Sequence, residues 1–149
     1  MILSHKGFDF IAAHEGCKLH AYQDQAGIWT IGFGCTYHVR PGEVWTYQQA
    51  LAALSWAISK VDSDVNRLVK SATQDQYDAM ISLTYNIGVG AFHRSSVLRA
   101  HLAGQFDAAA DAFLLWDKVR IDDHLTFDQG LLNRRRAERD LYLMLSPLT

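Results

Sequence analysis

The chain has 149 residues, 49% of them apolar or aromatic, with two cysteines and a formal net charge of −2. That size fits one domain or two small lobes sharing an element. The charge argues against a general nucleic-acid binder, two cysteines make no disulfide scaffold, and no apolar run reaches the roughly 18 residues of a membrane span.

The first fourteen residues hold a single lysine, Lys6, and no uninterrupted apolar segment. No secretory signal is read there, so synthesis in the cytoplasm is expected. In that compartment Cys17 and Cys35 are expected as free thiols, and neither has the CxxC or HxxxH partner of a zinc site. Ser4 caps a first helix over about 5–14, with Phe8, Ile11 and Ala12 on one face. Gly16 ends it, which leaves Glu15 at the helix C-terminal edge. The partial negative charge of that edge disfavours an ionised carboxylate, which suits a proton donor.

Two extended runs follow, about 19–22 and 28–33, separated by Gln23-Asp24-Gln25-Ala26-Gly27, a turn-forming stretch. Ile28, Thr30 and Gly32 share one face of the second run, and Trp29, Ile31 and Phe33 the other. Pro41-Gly42 marks a loop. Thr46 to Gln49 reads as a capping box that opens a long helix over about 47–69, apolar at Leu51, Leu54, Ile58, Val61, Val65 and Leu68. A break near Asp62-Ser63-Asp64 is the alternative. Thr73 to Gln76 is a second capping box, opening a helix to about Asn86 that Gly88 stops. The Gly88-Val89-Gly90 turn leads to short helices at about 92–94, 96–103 and 107–116. Lys118 to Asp128 alternates as a hairpin about an Asp122-Asp123 turn. A final helix spans about 131–145, with Leu131, Leu132, Leu141, Leu143, Met144 and Leu145 as its apolar set. The run Arg134, Arg135, Arg136 and Arg139 reads first as a solvated face. Trp29, Trp45, Trp56 and Trp116 read as core or lobe-interface residues, with Trp29 the one nearest the site.

An acid at a helix end, a second acid in a turn and a hydroxyl in the next strand are the groups that glycosidic cleavage needs. The leaving oxygen must be protonated while an ionised carboxylate attacks or activates water. Each residue alone has a bland reading: a solvated Glu, a turn Asp, a strand Thr.

Three blocks turn that balance. They are E-G-x7-D-x5-T-I-G-x-G from Glu15 to Gly34, Q-Y-D-A-M-I-S-L-T-Y-N-I-G-V-G-A-F from Gln76 to Phe92, and G-L-L-N-R-R-R-A-E-R from Gly130 to Arg139, the last preceded by Trp116. In order and interval they resemble phage lysozymes of the T4 and lambdoid endolysin type, glycoside hydrolase family 24, over nearly the whole chain. The resemblance implies a mostly helical α+β fold in two lobes. A β-containing lobe covers about 15–60, and a helical lobe covers 1–14 plus 61–149. The long helix joins them, and a saccharide cleft lies between. It implies an endolysin that hydrolyses the β-1,4 link from N-acetylmuramic acid to N-acetylglucosamine, with inversion favoured. Glu15 is then the acid, Asp24 the second carboxylate and Thr30 the group that positions water. Trp29, Gly32 and Arg135 are the expected glycan contacts, and one of Arg134 to Arg136 is a candidate partner for Glu15. No cofactor or metal is implied. A monomer is expected, held in the host cytoplasm until a holin opens the membrane to the wall. The chain departs from the family at Cys35, where a His is usual, and in the alternating segment after Trp116, where an A-G-G loop is usual. The readings set against this one are a non-catalytic peptidoglycan- or chitin-binding module and a small helical nucleic-acid binder using Arg134 to Arg139.

Overall fold

In the computed structural model, which describes residues 1–144, two compact units share the chain: Phe8–Lys60, and Met1–Gly7 together with the residues from Val61 onward. The first unit contains most of helix α1 (His5–Glu15), strands β1 (Lys18–Gln23) and β2 (Trp29–Gly32), and the first part of helix α2 (Tyr47–Leu68). Its buried apolar side chains are Ile11, Ile31, Phe33, Ala50, Leu54 and Ile58. The α2 capping box is made: Thr46 Oγ1 accepts from Gln49 N at 3.1 Å, and Gln49 Oε1 accepts from Thr46 N at 2.8 Å. Both otherwise orphaned donors are thus satisfied.

No break occurs at Asp62-Ser63-Asp64, because Asp62 is bonded from two sides. It accepts from Leu3 N at 2.9 Å and from the Tyr77 hydroxyl at 2.6 Å. Burial, and then the hydrogen-bonded Asp62 carboxylate, push that hydroxyl far above its ordinary pKa.

The second unit is built round α3 (Gln74–Ile87), which is buried at every position from Gln76 to Thr84 and packs chiefly on α7 (Gln129–Tyr142). Its capping box is complete, with Thr73 and Gln76 bonded reciprocally. Asp78, fully buried on α3, accepts from Ser4 N, Ser4 Oγ and Gln74 Nε2, and Ser4 Oγ accepts in turn from Gly7 N at 3.0 Å. The residue expected to cap α1 therefore also ties residues 4–7 to α3 within the same unit. The expected 88–90 turn is shorter than read: Val89 and Gly90 already belong to α4 (Val89–His93). Next come α5 (Ser96–Leu102), α6 (Phe106–Ala112) and a 3₁₀ turn at Phe113–Leu115. The single helix expected over 107–116 is thus divided.

Strands β3 (Lys118–Ile121) and β4 (His124–Phe127) pair antiparallel in strict register about Asp122-Asp123. These residues have φ of +48° and +64°, the sign that a two-residue primed turn requires at both central positions. Asp123→Gly removes a Cβ from that left-handed conformation. It should stabilise the chain by about 0.5–1 kcal/mol, read as a raised urea midpoint with unchanged slope.

Helix α7 starts at Gln129, two residues earlier than the sequence reading. Asp128 caps it by accepting from Leu131 N at 2.8 Å, and it ends at Tyr142. Leu145 lies outside the described residues. The arginine run on this helix is not a solvated face. Arg134 and Arg135 are 7% and 0% exposed, because Glu138, also fully buried, lies within one turn of both. Trp56 departs in the other direction: it stays 53% exposed instead of entering a core.

Candidate active site

Helix α1 stops at Glu15 because Gly16 has φ of +67°, a conformation that reverses the chain without a Cβ to clash. The half-buried Glu15 side chain therefore sits on the last helical residue, and β1 begins three residues later. Near the turn β1 pairs with β2 through Tyr22↔Thr30 and Gln23↔Trp29. An irregularity between Lys18 and Tyr22 restores the pairing at Lys18↔Gly32.

Asp24 builds the connection. Its backbone N donates to Ile28 O and its own C=O accepts from Gly27 N, each at 2.9 Å. Its Oδ1 accepts from Ala26 N at 2.8 Å and from Ile28 N at 2.9 Å. This Asx-type arrangement is why an Asp stands there. Both side-chain bonds use Oδ1, so the turn does not consume the second carboxylate oxygen, and the side chain remains exposed. Thr30 is 4% exposed, and its hydroxyl donates to Ile28 O at 3.0 Å. The donor is thus committed while the oxygen lone pairs can still accept from a water. Asp24 and Thr30 are therefore tied to the N–H and the C=O of one residue, Ile28. All three proposed catalytic side chains belong to the Phe8–Lys60 unit.

Trp29 is half-buried on β2. At Gly32, an expected glycan contact, protein fills the space that a side chain would take. A Cβ there would lie 2.9 Å from Trp45 Cζ3 and 3.4 Å from Ala50 Cβ, and φ is +67°. Trp45 is brought in by a segment, residues 43–45, that bonds along β1 through an isolated bridge the sequence did not reveal. In it Trp45 N donates to Leu19 O at 2.8 Å, Ala21 N donates to Glu43 O at 2.9 Å, and His20 bridges Val44. Gly32→Ala should cost about 1–3 kcal/mol from overpacking and backbone strain, lowering the midpoint of a thermal melt.

Arg135 belongs to the other unit. Its Nε lies 2.9 Å from Glu138 Oε2, and its Nη2 donates to Asn86 Oδ1 at 2.8 Å. Glu138 Oε1 also accepts from Ser82 Oγ at 2.7 Å and from Arg134 Nε at 3.2 Å. Burial pushes the Glu138 carboxyl above its usual range, against the downward pull of Arg135, Ser82 and Arg134. The sequence reading passed over Glu138, Ser82 and Asn86. The available signal was the i,i+3 and i,i+4 spacing of Arg135 and Arg134 to Glu138. Cys17 and Cys35 are half-buried free thiols, and burial raises the pKa of Cys17. Among the described residues no group of three His, Cys, Asp or Glu side chains is placed to hold a metal ion, and no helix is long and apolar enough to cross a membrane.

A helix-end carboxylate and a turn-held carboxylate in a small β unit, with a larger helical unit in the same chain, define a lysozyme-like hydrolase of the α+β class. The phage lysozyme family model matches residues 12–138. The endolysin of Acyrthosiphon pisum secondary endosymbiont phage 1 is 40% identical over 143 residues, covering 95% of this chain and 98% of that one. Among solved structures, an endolysin from Escherichia coli O157:H7 phage FAHEc1 superposes with a TM-score of 0.94 at 39% identity, covering 100% of this chain and 98% of the other. The muramidase domain of SpmX from Asticaccaulis excentricus gives 0.89 at 34% identity, with 95% and 97% covered. The chain belongs to the phage lysozyme family, and its activity is that of an endolysin-type hydrolase.

Proposed function

We propose that this endolysin hydrolyses the β-1,4 bond between N-acetylmuramic acid and N-acetylglucosamine in peptidoglycan, with inversion at the anomeric carbon. Glu15 protonates the glycosidic oxygen. Asp24 takes a proton from water through the oxygen its turn leaves unused, and Thr30 accepts a hydrogen bond from the same water. The observation that carries this reading is the joint anchoring of Asp24 and Thr30 on Ile28, which holds a carboxylate and a hydroxyl acceptor in fixed relation without flexible side-chain linkage. A fixed water needs that preorganisation, because the attack is productive only along a narrow approach. Trp29 offers an indole surface to the glycan. Gly32, being buried, contributes through the shape of the wall it forms with Trp45, and Arg135 acts through its ion pair with Glu138.

The whole chain works as one lysozyme-like domain, with lobes at about 15–60 and at 1–14 plus 61–149. It acts as a monomer that waits in the host cytoplasm and reaches the wall once a holin-type pore opens the membrane. Mass spectrometry of muropeptides released from purified sacculi tests the bond. Hydrolytic products with reducing N-acetylmuramic acid ends are expected, and anhydro ends would replace hydrolysis by transglycosylation. Proton NMR of the first product decides the stereochemistry: the α anomer is expected, and the β anomer would replace inversion by retention.

A further inference from the structure

Two large aromatic rings stand in solvent on the Phe8–Lys60 unit. Tyr37 is 67% exposed and Trp56 is 53% exposed, with ring centroids 5.9 Å apart and planes tilted by 40°. Aromatic rings are among the costliest surfaces to leave in water, and an exposed cluster of them marks a contact site more often than a lone exposed apolar residue does. The loop has a second aromatic contact. Phe33, 5% exposed, already packs on Tyr47 at the start of α2, centroid to centroid 6.0 Å.

A lysine ammonium and an imidazole flank the rings. Lys60 Nζ lies 3.8 Å from the Trp56 ring centroid, one helical turn along α2. The His38 ring lies 4.2 Å from that of Tyr37, on a backbone with φ of +51°, which non-glycine residues rarely adopt. Glu43, further along the same loop, is turned back onto the chain, accepting from Arg40 N at 3.1 Å. The patch therefore presents flat apolar faces with one positive charge, Lys60, at the edge. Its complement is a ligand with flat C–H faces and carboxylates, which describes an N-acetylated sugar chain carrying acidic stem peptides.

We propose that Tyr37 and Trp56 form a glycan-stacking surface that holds a peptidoglycan strand by its sugar faces while Lys60 meets a carboxylate. This rests on the reading of peptidoglycan as substrate. The surface supplies affinity for the polymer and takes no part in bond breaking.

The test is the initial rate against sacculus concentration for the wild type, Tyr37→Leu, Trp56→Leu, the double Leu variant, and the aromatic replacements Tyr37→Phe and Trp56→Phe, each checked by thermal melting. The Leu changes keep bulk against the loop but remove the π face. They should raise the half-saturating concentration about five- to tenfold with the maximal rate within about twofold, whereas the Phe variants stay near wild type. Co-sedimentation with sacculi in the Glu15→Gln background should show the same order. Unchanged half-saturation in the double Leu variant, or a loss confined to the maximal rate, would overturn the proposal. A wild type that binds sacculi but releases no reducing ends would instead overturn the hydrolytic reading, and the co-sedimentation series would still decide whether the rings hold the glycan.

Discussion

Glu15→Gln should reduce clearing of purified cell walls by roughly a hundred- to ten-thousand-fold, the usual contribution of a positioned general acid, while the protein stays folded. A glycosidic oxygen leaves poorly as an alkoxide, and Gln has the shape of Glu without a transferable proton. The change is structurally mild, because the side chain sits on the last residue of α1 and is only half-buried. Taking negative charge away from a helix C-terminus is worth a few tenths of a kcal/mol in the stabilising direction. Activity and stability should therefore separate: rate lost, melting midpoint retained or slightly raised. Asp24→Asn provides the companion measurement. The amide oxygen can still accept from Ala26 N and Ile28 N, so the turn survives, while the charge that activates water is gone. Undiminished clearing by Glu15→Gln would remove that residue from the mechanism. Loss of activity with a collapsed melt would show that it supports the fold instead.

Local chemistry made much of this fold legible. Thr46 with Gln49 and Thr73 with Gln76 announce helix starts because a capping box is closed within four residues. Asp24 announces its turn because its carboxylate bonds amides two and four residues on. The misread elements depend on partners far along the chain. Trp45 fills the space beside Gly32 only because residues 43–45 run along β1, a pairing between segments more than twenty residues apart. Arg134 and Arg135 look like solvent-facing charge until Ser82, some fifty residues earlier, is seen to share Glu138 with them. Trp56 falls on a helix whose apolar pattern invites burial, yet its neighbours are Tyr37 and Lys60 at the surface. For the candidate site, spacing identified the residue types. The tie of Asp24 and Thr30 to one residue, Ile28, emerged only once the chain was folded.

Glu138→Ala should be the most destabilising single change on α7, at about 3–5 kcal/mol. The side chain is fully buried, and its two oxygens serve both guanidiniums and the Ser82 hydroxyl. Truncation takes away the carboxylate but leaves both cations and the hydroxyl buried, so their desolvation is no longer offset. In a chain of this size each kcal/mol moves the melting midpoint by about 2–4 °C, so a drop of about 10 °C is expected. Asp140→Ala is the control on the same helix. Its pair with Arg139 is 3.5 Å long with the side chains 30% and 47% exposed, and the change should stay within about 0.5 kcal/mol. If Glu138→Ala melted within a degree or two of the wild type, the buried cluster would not hold α7 to α3. Arg134 and Arg135 would then have some reason other than packing to lie inside. A large drop for Glu138→Ala beside a flat response for Asp140→Ala ties the burial of these arginines to one carboxylate, and so makes Glu138 the residue that lets so charged a helix pack against α3.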